Sequence, residues 1–145
     1  MLAATSPGHL MVPGKLSALL KMATPRRYKN LEYMKRIAGD IYGGAMRGAP
    51  ELAERHLRHV HWSSDYGYYL QLAAGFGWSS LPWLPFLRQP TLVMAGTDDP
   101  IVPAVNGRIL AKLIPDARFV TIDDGHLFLL TSAKVSAGVI SDFLG

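Results

Sequence analysis

The sequence predicts an α/β protein with a parallel sheet toward its C-terminal end and a helical middle. Three observations carry that prediction. Residues 86–145 alternate short apolar, β-branched runs with helical periodicity, whereas residues 10–85 show helical spacing and no convincing strand. The runs 91–95 and 118–122 are each closed by turn residues, Gly96 in one case and Asp123-Asp124-Gly125 in the other. Between them lies one helix-length segment, the connection that a right-handed crossover between parallel strands requires.

Taken in order, residues 1–5 form a short apolar run broken by Ser6-Pro7-Gly8 and read as a strand. Residues 16–22 are apolar and helix-capable, and Pro25 stops them. Residues 30–41 place Leu31, Met34, Ile37, Ala38 and Ile41 at helical spacing before Gly43-Gly44. Residues 50–61 start at Pro50, a residue suited to the first helical turn, and carry Leu52, His56, Leu57 and Val60 on one face. Residues 67–76 repeat the pattern with Tyr69, Leu72, Ala73 and Phe76. Trp62, Tyr66, Tyr68, Tyr69, Phe76, Trp78 and Trp83 read most simply as the core of this helical segment, with some lining an apolar pocket. After the first crossover strand, residues 104–113 follow Pro103 with Val105, Ile109, Leu110 and Leu113 as the buried face. The last helix, 132–144, buries Val135, Val139, Ile140 and Phe143, with Thr131 or Ser132 as its N-cap.

The totals narrow the function classes. The chain of 145 residues is 49% hydrophobic and 18% charged, enough to bury a sizeable core and too apolar for a disordered segment. It has no cysteine, which excludes disulfide and thiolate chemistry and is compatible with the cytoplasm. The net charge of +4 is mild, and the cluster Arg26-Arg27 with Lys29 reads as solvated surface rather than a nucleic-acid site. No stretch approaches the roughly 20 apolar residues of a membrane span. The N-terminus lacks the charged region of a signal peptide. His56, His59 and His61 lie close together, but no further ligand accompanies them, so no metal is expected. His9 follows a turn and has no assignable role.

The chemistry concentrates in residues 89–130. In a parallel sheet, groups after the carboxyl ends of the strands face the ligand crevice. Asp98 and Asp99 follow the first crossover strand, and His126 follows the second. A carboxylate and an imidazole so placed are the orienting acid and the general base of a nucleophilic hydrolase, in the chain order acid then histidine. Either aspartate could supply the acid. Asp123 and Asp124 read as turn and capping residues.

Motifs along nearly the whole chain carry a resemblance: LAAT near the start, MVPGK at 11–15, TPRRY at 24–28, IYGG at 41–44, PELA at 50–53, GYYLQLAAGFGW at 67–78, RQPTLVMAGTDDPIVP at 88–103 and IDDGHLFL at 122–129. In these the chain resembles the C-terminal part of intracellular, medium-chain-length poly(3-hydroxyalkanoate) depolymerases of the α/β-hydrolase superfamily. The resemblance implies the C-terminal portion of an α/β-hydrolase fold, with parallel strands six to eight and an inserted helical cap. Residues 1–9 would hold strand six and its turn, residues 10–85 the cap, and residues 86–145 strands seven and eight with the acid and the histidine. It implies Asp99 as the acid, three residues after the glycine and four before the proline, and His126 as the base. It further implies an apolar polyester or ester substrate, no cofactor, and a cytoplasmic location with storage granules as the place of action.

The chain departs from that pattern in one respect. The serines are Ser6, Ser17, Ser63, Ser64, Ser79, Ser80, Ser132, Ser136 and Ser141, and none lies in a G-x-S-x-G elbow. A fragment without the nucleophile, inactive alone, is therefore expected. An unpaired edge at the first strand would also favour self-association. The other readings are a different capped esterase or lipase, or a non-catalytic piece that binds granules or a partner.

Overall fold

A computed structural model describes residues 1–3, 8, 10–58 and 64–145. Three strands form one parallel sheet in the order β1 (Leu2–Ala3), β2 (Thr91–Gly96), β3 (Ala117–Ile122). The predicted first strand is described only at Leu2–Ala3, and the rest of that run lies outside the described residues.

The sheet's alternation sorts its two faces. Val93 packs with Leu84, Leu110 and Ile114, and Ala117 and Phe119 of β3 join the same face. Leu92 and Met94 pack with Ile122 and Phe128 on the other face, where Val139, Ile140 and Phe143 close over them. The helices responsible are α6 (Ala104–Leu113) on the first face and α8 (Ala133–Leu144) on the second.

The middle of the chain is helical, with α1 (Leu16–Met22), α2 (Arg26–Lys29), α3 (Leu31–Tyr42), α4 (Pro50–Arg58) and α5 (Asp65–Phe76). Two 3-10 helices, Gly44–Arg47 and Leu81–Phe86, interrupt them. Helix α3 is the axis of this layer. Asn30 caps it by accepting the Tyr33 amide at 2.7 Å, and Met34, Ile37, Ala38 and Ile41 are all buried on one face. Burying the methionine and isoleucine side chains among these stabilises by roughly 1.5–3 kcal/mol each. The same cluster takes in Ala18, Met46, Ala53 and Ile101, with Val102 and Leu127 packed against it. The helical layer thus meets the sheet-bearing part through residues that flank Asp99 and His126.

Several sequence expectations differ from the fold. Helix α6 buries Leu110 as the periodicity implies, but turns Val105 (41% exposed) and Leu113 (37%) outward and buries Asn106 and Gly107 in their place. Asn106 is buried because its amide exchanges two hydrogen bonds with the Val12 backbone, at 2.8 and 2.9 Å. Gly107 is buried because a Cβ there would lie 2.6 Å from the Phe119 ring. Val135 is likewise exposed, whereas Val139, Ile140 and Phe143 are packed as the periodicity implies. The C-terminal helix is preceded by a separate turn, α7 (Phe128–Thr131), and neither Thr131 nor Ser132 caps it. Both hydroxyls donate to Asp124 instead.

Of the aromatics expected to form the helical core, Tyr68 is buried, while Tyr66, Tyr69, Phe76, Trp78 and Trp83 are exposed. Trp62 lies outside the described residues. The basic cluster also divides. Arg26 is exposed, but Arg27 is only 4% exposed, donating to the Tyr28 and Tyr68 hydroxyls at 2.8 and 2.9 Å and lying over both rings. Aromatic hydroxyls and ring faces take the place of water around this guanidinium. Among the described residues no helix is long and apolar enough to cross a membrane.

Candidate active site

Strand β2 ends at Gly96, and the loop Thr97-Asp98-Asp99-Pro100 follows at the strand's carboxyl end. Strand β3 ends at Ile122, and Asp123-Asp124-Gly125-His126 follows beside it. The two loops are joined by backbone: Thr97 donates to the Ile122 carbonyl at 2.9 Å and Asp98 to the Asp124 carbonyl at 3.0 Å. A Cβ on Gly96 would lie 2.3 Å from the Gly125 carbonyl oxygen, so only glycine permits this approach.

The structure brings Asp99 and His126 together. Asp99 Oδ1 accepts the Ile101 and Val102 amides at 2.8 and 2.9 Å, which fixes the carboxylate plane. Its other oxygen, Oδ2, lies 2.8 Å from His126 Nδ1. The Asp99 side chain is 6% exposed and that of His126 is 32% exposed. Because an ionised carboxylate only accepts, a hydrogen bond from the imidazole to it uses Nδ1–H as donor and leaves Nε2 clear of the acid. Met94, Ala95, Val102, Gly107 and Phe128 surround the pair with apolar walls. The His126 amide donates to the Tyr42 carbonyl at 2.7 Å, and the Tyr42 ring lies nearly parallel to the imidazole, 14° apart with centroids 6.3 Å apart. Burial pushes the Tyr42 phenol up to about 12, so it stays neutral.

The other aspartates of the two loops do different work. Asp98 pairs with Arg47, whose Nε and Nη2 donate at 2.6 and 2.9 Å. The Gly44 amide adds a third bond at 2.8 Å. The Arg47 guanidinium, followed by that amide, brings the Asp98 carboxyl down to about 2. Asp124 is buried and accepts from the Ala45 and Gly125 amides and from the Thr131 and Ser132 hydroxyls, at 2.6–2.9 Å. Burial alone would raise its pKa, but these donors together bring it below the ordinary value. Asp123 accepts from the Thr97 hydroxyl at 3.1 Å. All three lie on the turns after the two strands, and the partners of Asp98 and Asp124 include residues of the helical layer.

Of the histidines, His56 stands edge-on to Tyr42 with ring centroids 5.5 Å apart. With Met46, Leu52, Arg55, Leu130 and Thr131 it lines a cavity of about 470 Å³. His9, His59 and His61 lie outside the described residues. Among the described residues no three His, Asp or Glu side chains converge as a metal would require. Sequence reasoning missed Tyr42 and Arg47. The doubled glycine after Tyr42 was the available signal, because adjacent glycines mark a close backbone approach.

Comparison with known proteins bears on the fold and the family. Residues 8–133 match the alpha/beta hydrolase fold family. A poly(3-hydroxyalkanoate) depolymerase from Ectopseudomonas oleovorans is 52% identical over 144 residues, which is 99% of this chain and 51% of that protein. Among solved structures, a hydrolase from Pseudomonas aeruginosa PA01 superposes with a TM-score of 0.71 at 23% identity, over 99% of this chain and 54% of that one. The enol-lactonase of Burkholderia xenovorans LB400 superposes with a TM-score of 0.68 at 24% identity, over 89% of this chain and 49% of that one. The chain spans about half the length of each of these proteins. The parallel sheet, the loops at its carboxyl edge and the match over residues 8–133 lead to one conclusion: the chain belongs to the α/β-hydrolase family.

Proposed function

We propose that these residues supply the acid and the general base of a serine hydrolase that cleaves ester bonds of poly(3-hydroxyalkanoate). The observation that carries the reading is the 2.8 Å contact between Asp99 Oδ2 and His126 Nδ1 at the carboxyl edge of the sheet. The 52% identity to a depolymerase supports the substrate class. In this reading His126 Nε2 takes the proton of a serine as that serine attacks the ester carbonyl, then delivers it to the departing alcohol. The imidazole next activates water to release the acyl group. Asp99 holds the Nδ1–H tautomer and stabilises the imidazolium that forms. The serine belongs on a G-x-S-x-G elbow, which these 145 residues do not contain. The apolar walls around the pair and the cavity beside His56 suit an alkyl ester. The predicted division is kept as part of the proposal: residues 1–9 with the first strand, 10–85 as cap, 86–145 as the part bearing acid and base. A cytoplasmic location on polyester granules follows from the same reading.

The test grafts these residues in place of the aligned segment of the Ectopseudomonas depolymerase. The chimera should hydrolyse polyester, while the 145 residues alone should not. In the chimera, His126→Ala or Asp99→Ala should lower kcat by roughly 10³-fold or more. A chimera as active with His126→Ala as without it would refute the assignment. A second reading, a non-catalytic binding piece, is favoured by the exposed aromatics Tyr66, Phe76 and Trp83. Sedimentation of the chain with polyester granules, undiminished in His126→Ala, would speak for it.

A further inference from the structure

The Asp99–His126 pair is not held by its own two loops alone. The turn that ends α3, Tyr42-Gly43-Gly44, is wedged between them and touches both at the level of the backbone. A Cβ on Gly43 would lie 1.9 Å from the Asp98 carbonyl oxygen, and one on Gly44 would lie 2.0 Å from Asp124 Oδ1 and from the Gly125 nitrogen. A Cβ on Gly125 would lie 2.0 Å from the Tyr42 carbonyl oxygen. Gly43 and Gly44 also have φ of +66° and +48°, where a side chain is strained.

Polar contacts lock the same junction. Tyr42 accepts the His126 amide, Gly44 donates to Asp98, and Ala45 donates to Asp124. Arg47 then grips both oxygens of Asp98. The residue just before the acid and the residue two before the histidine therefore present carboxylates to one short turn. The cluster of α1, α3 and α4 stands directly behind it, and it reaches the site loops through Ile101, Val102 and Leu127.

We propose that the turn 42–47 is a positioning element that sets the Asp99–His126 hydrogen bond, with Asp98 and Arg47 as its positioning residues. Hydrogen bonds weaken steeply with angle, so a small displacement of either loop degrades the pair. Because the turn continues α3, the placement of the helical layer and the geometry of the imidazole are coupled. The proposal rests on reading Asp99 and His126 as acid and base, but its test reads the hydrogen bond itself and needs no turnover.

The probe is the His126 Nδ1 proton in the ¹H NMR spectrum of the chain, assigned by its disappearance in Asp99→Asn. Asp98→Ala should move this resonance upfield and quicken its exchange with solvent by roughly 5- to 10-fold, the scale of a modest coupling between sites. Arg47→Ala should act in the same direction and more weakly, and Arg47→Lys should restore part of the loss. Asp65→Asn, which removes an ion pair with Lys29 between α2 and α5, should leave the signal in place. The idea fails if Asp98→Ala and Arg47→Ala leave shift and exchange unchanged. It fails equally if Asp65→Asn moves them as much, because the effect would then be general loosening. Should Asp98→Ala not fold, the two Arg47 variants decide the matter.

Discussion

Asp98 and Asp99 are neighbours of the same chemistry with opposite assignments, and the fold separates them by direction. Asp99 spends one oxygen on two amides of its own turn and has the other left for His126. Asp98 spends both on Arg47 and Gly44. Position after a strand was legible in the sequence, because strand ends are marked by glycine and turn residues. The partners were not, because Arg47 lies 51 residues away and only the packing of two layers brings it close. The Asp98 pairing has a measurable consequence. Its folded pKa of about 2 lies below the ordinary 3.8, so its contribution to stability is present above 3.8 and lost as pH falls through about 2. The side chain is 43% exposed, and solvent screening keeps the contribution to roughly 0.5–1 kcal/mol. Asp98→Asn should therefore be less stable than wild type by about that amount at neutral pH. The difference should vanish below about pH 2. Urea unfolding across that range measures it, and a difference independent of pH would contradict the ion-pair account.

Among the elements, β2, α1, α3 and α6 were legible because each carries a strong period or a clear stop. The 3-10 helices and α2 were not, since four to six residues are too few to show periodicity. The buried face of α6 was misread for a physical reason. Apolar spacing assigns a face by hydrophobicity, yet Asn106 earns its burial by bonding Val12 and Gly107 by fitting under Phe119. The two accounts of the face differ in energy. Leu110 is 3% exposed, so Leu110→Ala should cost roughly 2–5 kcal/mol. Leu113 is 37% exposed, and Leu113→Ala should cost about 1 kcal/mol or less. Equal costs in thermal or urea unfolding would restore the face that the periodicity suggested. The histidine loop behaves similarly. Thr131 and Ser132 look like caps in sequence, but Asp124 recruits both hydroxyls because a buried carboxylate needs every donor within reach.

At the scale of the whole molecule, the division of labour between layers explains which aromatics the sequence misplaced. A buried aromatic needs an apolar layer on each side, and α5 offers one only at Tyr68, which packs on Tyr28 and Arg27. Along the same helix Tyr66, Tyr69, Leu70, Leu72 and Phe76 are exposed, and Trp83 and Phe86 of the following 3-10 helix are 71% and 70% exposed. Among the described residues, β1 has a strand partner on one side only. Exposed apolar side chains and an open edge both favour association over isolation, the first through the hydrophobic effect and the second through unpaired backbone groups. The chain by itself should therefore form oligomers whose size rises with protein concentration in multi-angle light scattering. Phe76→Asp combined with Trp83→Asp should shift it toward monomer without altering the circular dichroism of the sheet and helices. Unchanged oligomers in that double variant would move the cause to the β1 edge. A monodisperse monomer for the wild type at every concentration would show that neither surface associates.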